Sequence, residues 1–414
     1  MDNDASKAAY LKYFIYLVVL FVLFTYLHDL TKAIFTSDFI DTRHYYVNSK
    51  LLQQGVDVWK ISPQEYLSYE NSMITKTGYS NYASVLHSMN FFLIFSPFTF
   101  MGFNLASVLW VITCQAALII STWLVLTKIF GNLDIYKVIS GLFLVFMFWP
   151  LREDLFIGQP NLLILLFFTL ALLCFKNKKI FLAGIFLGLG VQIKELFIPV
   201  LLFCLCKRYW KALISAICVI FLIKLAAIFS FGIDKEISYW TYQLRFFSGQ
   251  VAAGEYRDIS SLSIFYLLYN LFFSIDGIKF VQALTILINL IVLTLAFRVR
   301  YGKRVGTNPD KMALEFSFFI TLCYMVCPWV HETHLVVLFL PLVICWFYII
   351  KGPVKKSSII LFIIAYLILG LKYAITSFPS AWSGPFAFLL SFKGIGYILL
   401  FILLGSLLRT SNEG

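Results

Sequence analysis

Apolar runs approaching the length of a bilayer crossing recur from Tyr10 almost to the C-terminus, each parted from the next by a short charged island. Few folds accept such a chain. In lipid every backbone N–H and C=O must be satisfied inside its own segment, so repeated runs of this kind predict a bundle of membrane helices. Composition agrees: 61% of the residues are hydrophobic and only 13% charged, too few to cover a water-soluble surface. The run from Tyr10 to Leu27 continues without a small-residue cleavage site and reads as a first retained crossing, 10–28. Further crossings are expected at 104–127, 138–151, 161–175, 180–194, 196–206, 212–231, 278–297, 313–328, 334–350, 357–375 and 386–408. The expected fold is an all-α polytopic bundle of about twelve helices, one integral membrane domain over 1–414 with both termini cytoplasmic.

Two loops on the outer side are long, 29–103 and 232–277, and too rich in aromatics to be disordered. Within them Phe91–Phe100 and Leu262–Phe273 are apolar but too short to span, which predicts short amphipathic or re-entrant helices at the interface. The hairpins 138–175 and 180–206 are also short, since two full crossings need about 40 residues. Their tips carry Arg152, Glu153, Asp154, Gln159, Asn161, Lys194 and Glu195. Charges at that depth are expensive unless paired or solvated, so an outward-opening aqueous cavity is expected. Lys194 and Glu195 read either as site residues or as a plain ion pair, and Lys224, inside a crossing, either snorkels or faces the bundle.

A formal charge of +12 brings nucleic acid to mind, but the distribution excludes it as a partner. Basic islands such as Lys176, Lys178, Lys179 and Arg298, Arg300, Lys303, Arg304 mark cytoplasmic loops. The side so assigned holds 19 Lys and Arg against 6 Asp and Glu; the other holds 14 against 15 and all five histidines. The chemistry is therefore expected on the outer face: periplasmic or extracellular in the plasma (inner) membrane of a bacterium, lumenal in a eukaryote. The eight cysteines avoid the long outer loops and read as small buried hydrophobes, neither disulfides nor metal ligands.

Four outer motifs occur in order. The first is Ser37-Asp38-Phe39-Ile40-Asp41-Thr42-Arg43-His44-Tyr45-Tyr46, with Gly55 after it; the second is Gly158-Gln159-Pro160-Asn161. The third is Lys194 with Pro199, behind a helix carrying Gly184, Gly188 and Gly190; the fourth is Pro328-Trp329-Val330-His331-Glu332-Thr333-His334. Together, over about residues 37 to 341, these resemble glycosyltransferase family 87. The sequence departs from the family where Tyr82 is followed by Ala83 and Ser84 instead of a Pro-Pro pair. The resemblance implies a GT-C type fold and an inverting transfer of a sugar from a polyprenyl-phosphate donor to a lipid- or glycan-linked acceptor. The sugar is a hexose, mannose among them, or a pentose. It also implies substrate binding by Tyr45, Tyr46, Gln159, Asn161 and Lys194.

Chemistry sets its own requirements. A sugar on a lipid phosphate already carries its leaving group, so transfer needs a base for the acceptor hydroxyl and cations for the departing phosphate. Asp41, four residues before Tyr45, is the expected base and Asp38 its rival; either also reads as a helix N-cap. Lys194, Arg152, Arg245 and Arg257 are the expected phosphate ligands, the last two in an aromatic stretch that equally suits an interface anchor. His331 and His334 lie three apart at a helix start and are expected to bond sugar or phosphate; with no third ligand evident, no metal is expected. No cofactor is expected either, because the cytoplasmic loops hold neither Asp-x-Asp nor a phosphate-cradling glycine loop. Two other classes fit the same loops. One is a polysaccharide polymerase or ligase using a polyprenyl-pyrophosphate donor. The other is a lipid-linked glycan transporter, which predicts matching broken helices in both halves where only the first half has them.

Overall fold

The computed structural model describes residues 2–36, 39–74, 87–131, 134–245, 261–271, 278–300, 309–352, 354–372, 389 and 391–410. Regular structure among them is entirely helical. The chain opens with α1 (Asp2–Thr36), followed by α2 (Ile40–Gln53), α3 (Pro63–Met73) and α4 (Met89–Phe95), which continues into a 3₁₀ turn, Ser96–Phe100. Then come α5 (Phe103–Leu124), α6 (Ile135–Met147), α7 (Trp149–Ile157), α8 (Asn161–Lys176) and α9 (Ile180–Ile193). A 3₁₀ segment, Glu195–Val200, leads to α10 (Leu201–Cys206), α11 (Trp210–Phe231), α12 (Ile233–Arg245) and α13 (Ile264–Leu271). The last third holds α14 (Ile278–Arg300), α15 (Pro309–Val326), a 3₁₀ segment Glu332–Leu338, α16 (Phe339–Lys351), α17 (Lys356–Gly370) and α18 (Lys393–Thr410).

Among the described residues five helices are long and apolar enough to cross a membrane: Tyr16–Phe35, Phe103–Ile129, Trp210–Phe231, Phe280–Phe297 and Glu332–Lys351. A sixth counts if α6 and α7 form one crossing, bent by 49° where Pro150 follows the break at Phe148. Five other apolar helices, among them α8, α9 and Glu195–Cys206, have 10–17 residues. Length and composition thus give five or six crossings, and the count of about twelve does not emerge from them. The reason is the economy already visible in the hairpins: helices buried inside the bundle need not span a full bilayer. The two short apolar segments, Phe91–Phe100 and Leu262–Phe273, are helical where described, as α4 with its 3₁₀ extension and as α13.

Position in the bundle follows from which faces are apolar. The crossing made by Glu332–Lys351 is buried almost throughout, whereas α11 and α14 turn most of their apolar surface outward, as lipid-facing helices do. The glycines of α9 set the tightest packing. A Cβ on Gly184 would collide with the Ala212 carbonyl, and one on Gly188 would meet the Ala216 carbonyl at 2.8 Å, so α9 and α11 touch backbone to backbone. Where α10 ends, Lys207 bonds Glu315 of α15 at 2.7 Å with both side chains buried. Six cysteines are buried, Cys218 is exposed on α11, and all eight are free thiols.

Candidate active site

The polar tips of the short helices converge. Phe39 takes a left-handed conformation (φ 41°, ψ 60°) just before α2, which is uncommon and costly for a bulky side chain. Its ring is buried with Ala33, Val111 and Leu155, and that packing holds the backbone there. The turn aims the first residues of α2 at the end of α7. Asp41 is the second residue of α2 and not its N-cap, a place taken by Phe39 without any side-chain cap. The N-cap alternative is thereby removed for Asp41.

Opposite Asp41 the chain turns at Gly158, which ends α7 with φ 79°. Its carbonyl accepts from Thr42 Oγ1 at 3.1 Å and from Trp110 Nε1 at 2.9 Å. A Cβ here would strike Thr42 Oγ1, so both the positive φ and the close approach require glycine. The next residue, Gln159, engages both ends of its carboxamide: Nε2 donates to Asp41 Oδ2, and Oε1 accepts from Lys194 Nζ. Lys194 is buried in the extended break (φ −143°, ψ 115°) between α9 and the Glu195–Val200 segment. A carboxylate and an ammonium are thus held on one amide.

Behind them lies Asp154, 1% exposed. Its Oδ1 accepts from Asn161 Nδ2 at 2.6 Å while Oδ2 has no partner. The same Asn161 amide donates to the Thr333 carbonyl at 3.0 Å, which ties α8 to the late histidine motif. In that motif Trp329 Nε1 donates to His331 Nε2, and the His331 backbone N–H points at His334 Nδ1 at 3.3 Å. His334 therefore carries its N–H on Nε2 when neutral. Their rings meet edge to face, 5.5 Å between centroids.

Electrostatics single out Asp41. Burial lifts its carboxyl from 3.8 to about 6, although the Lys194 ammonium and the Gln159 amide pull the other way. A carboxylate with that value is ionised at neutral pH and still basic enough to take a proton. His87, just ahead of α4, is driven well below the ordinary histidine range by burial, then by Lys194. Its ring packs edge-on to Tyr45 at 4.9 Å.

The expected residues divide as follows. Asp41, Gln159, Asn161 and Lys194 come together, with His331 and His334 joined through Thr333. Tyr45 is buried beside them, its hydroxyl without a hydrogen-bond partner and close to the Asp41 and Asp154 charges. The Tyr46 hydroxyl instead donates to the Met101 carbonyl at 2.8 Å and moors α2 to the start of α5. Arg152 turns away to α1, where it bonds Asp29 at 2.8 Å and Thr25 at 2.9 Å. Lys194 and Glu195 do not pair: Glu195 faces Tyr239 and Lys224. Arg245 is the last residue of α12. Asp38, Arg257 and Tyr82 with its two followers lie outside the described residues. Asp154 stands among the charged hairpin tips that the sequence marks out, without a role of its own, and His87 is not marked as a site group. The signal that could have found His87 is a histidine set directly against a short apolar segment, Phe91–Phe100.

Fold and cluster define a class: a polytopic all-α membrane protein with an acid and an ammonium bridged at the ends of incomplete helices. The chain belongs to glycosyltransferase family 87, whose model matches residues 87–328, more than half of its length. It is accordingly a membrane glycosyltransferase. The matched stretch contains Gln159, Asn161 and Lys194, begins after Asp41 and ends before His331. No curated protein matches the chain.

Proposed function

We propose that this glycosyltransferase moves a hexose or pentose, mannose among them, from a polyprenyl-phosphate donor to a lipid- or glycan-linked acceptor on the outer face of the membrane. The observation that carries the proposal is the Gln159 amide joining Asp41 to Lys194. Direct displacement needs both groups at once. Asp41 takes the proton of the acceptor hydroxyl as its oxygen bonds the anomeric carbon. The bond from that carbon to the phosphate oxygen breaks with its electron pair going to the phosphate, and Lys194 stabilises the charge that develops. Attack opposite the leaving group inverts the anomeric centre. His331 and His334 supply hydrogen bonds to the sugar or the phosphate, and Tyr45 and Asp154 complete the wall. Gln159 has both amide ends engaged, so its part is to hold base and cation at a fixed separation.

A lipid donor is further supported by an apolar crevice of about 360 Å³, which includes Ile198, Pro199, Leu202, Leu205, Leu213 and Val326 in its lining. It begins four residues beyond Lys194, and a crevice of this size and lining suits a hydrocarbon chain. The test is transfer by purified protein in nanodiscs from labelled polyprenyl-phosphate sugars, with membrane lipid extract as acceptor. Asp41→Asn is expected to lower kcat about 100- to 10,000-fold with donor binding retained, and Lys194→Met to raise the donor KM. Loss confined to Asp38→Asn moves the base. Transfer from pyrophosphate-linked donors alone identifies a polymerase or ligase instead.

A further inference from the structure

Helix α12 is amphipathic in an unusual place. Ile233, Ile237, Trp240 and Leu244 are 45% to 67% exposed, and at 100° per residue they fall within about 60° of one another. The opposite face, with Lys235, Ser238, Tyr239 and Gln243, is buried. The helix starts one residue after the α11 crossing, where Gly232 (φ 101°) turns the chain. Its apolar stripe therefore begins where a lipid-facing surface ends: on α11 the exposed Phe221, Leu222 and Phe229 precede it. The buried face reaches inward. Tyr239 donates to Glu195 at 2.9 Å, one residue from Lys194, and Ser238 donates to Asp57 of the first outer loop at 2.6 Å. Glu236 accepts from Lys224 of α11 at 2.6 Å and from the Trp240 indole at 2.6 Å, and Lys224 also faces Glu195 at 3.7 Å.

We propose that α12 lies in the outer-leaflet interface with its Ile233, Ile237, Trp240 and Leu244 face among the lipids, and that this seating holds the Lys194–Glu195 break through Tyr239. The occupant of the apolar face is the bilayer, because the face continues the lipid-exposed side of α11 and carries a tryptophan, the residue that favours the interface. On the function proposed above, in which Lys194 meets the donor phosphate, the membrane surface becomes a structural part of the site, since that cation sits on a segment braced by a lipid-seated helix.

Two measurements on the full chain in phospholipid nanodiscs test this, and neither needs turnover. A photo-cross-linking benzoylphenylalanine placed at Ile237 or Leu244 is expected to capture phospholipid, whereas one at Gln64, exposed on α3, is not. Capture of a second copy of the chain, or no more lipid than at Gln64, overturns the seating. Amide hydrogen exchange over residues 194–197 is expected to rise about tenfold in Ile237→Glu and in Tyr239→Phe. Unchanged exchange in either variant overturns the link to Lys194, and because both substitutions are single and one removes only a hydroxyl, the rest of the exchange map reports whether the fold is kept.

Discussion

Asp41 carries the clearest consequence of burial at a single residue. A carboxyl whose value rises on folding, here from 3.8 to about 6, stabilises the protein below its unfolded value and loses that contribution as pH climbs through the folded one. Ionised Asp41 is therefore a strain on the fold at neutral pH. Asp41→Asn is expected to lose most of its activity yet be more stable by about 3 kcal/mol near neutrality, with the gain gone below about pH 4. Thermal melts of both proteins across that range check it. In the active protein kcat should fall on the acid side with a midpoint near 6, read from the pH–rate profile. Asp154 tests a different physical point. Asp154→Ala leaves one of the two Asn161 amide hydrogens, the one now held at 2.6 Å, without its acceptor, while the other stays on the Thr333 carbonyl. A loss of about 1–3 kcal/mol should accompany reduced transfer, measured by denaturation and by initial rates.

At the scale of elements, the bundle holds its short helices by close backbone approach and by a buried ion pair. Lys207 and Glu315 are 1% and 2% exposed and 2.7 Å apart. Removing one partner leaves a charge in a low-dielectric interior. Glu315→Ala is expected to cost about 3–5 kcal/mol, while the double variant Lys207→Met, Glu315→Leu recovers most of it. Denaturation of the two variants against the parent decides this. Such a pattern marks the pair as a lock between α10 and α15, remote from the cluster around Asp41. The helix breaks serve a different end. Phe39, Gly158 and Lys194 all leave helical geometry, and each departure brings a polar group to the same place.

For the whole molecule, the charge asymmetry of the loops predicts which side is which. Lys60→Cys, on the side that the charge asymmetry predicts to be outer, should react with an impermeant thiol reagent on intact cells, and Lys178→Cys only after permeabilisation. The reverse pattern would invert the orientation and move the proposed chemistry to the cytoplasm. Much of the architecture was legible in the residues: the membrane as solvent, the helical class, the short apolar helices near 91–100 and 264–271, and the polar tips of hairpins too short to span. The number of crossings was not, because apolar composition marks a buried core helix and a lipid-spanning one alike. Arg152 and Tyr46 show the same limit at the site. Charge and motif mark both as substrate ligands, and in the fold Arg152 bonds Asp29 of α1 while Tyr46 bonds the Met101 carbonyl just before α5. By itself, then, the sequence determined that this protein lives in lipid and which polar residues interrupt its helices. Only the tertiary structure decided which of them meet, since Gln159 reaches Asp41 across 118 residues and Lys194 across 35. Such contacts depend on backbone turns at Phe39, Gly158 and Lys194, which the packing of the whole bundle sets and local propensity does not.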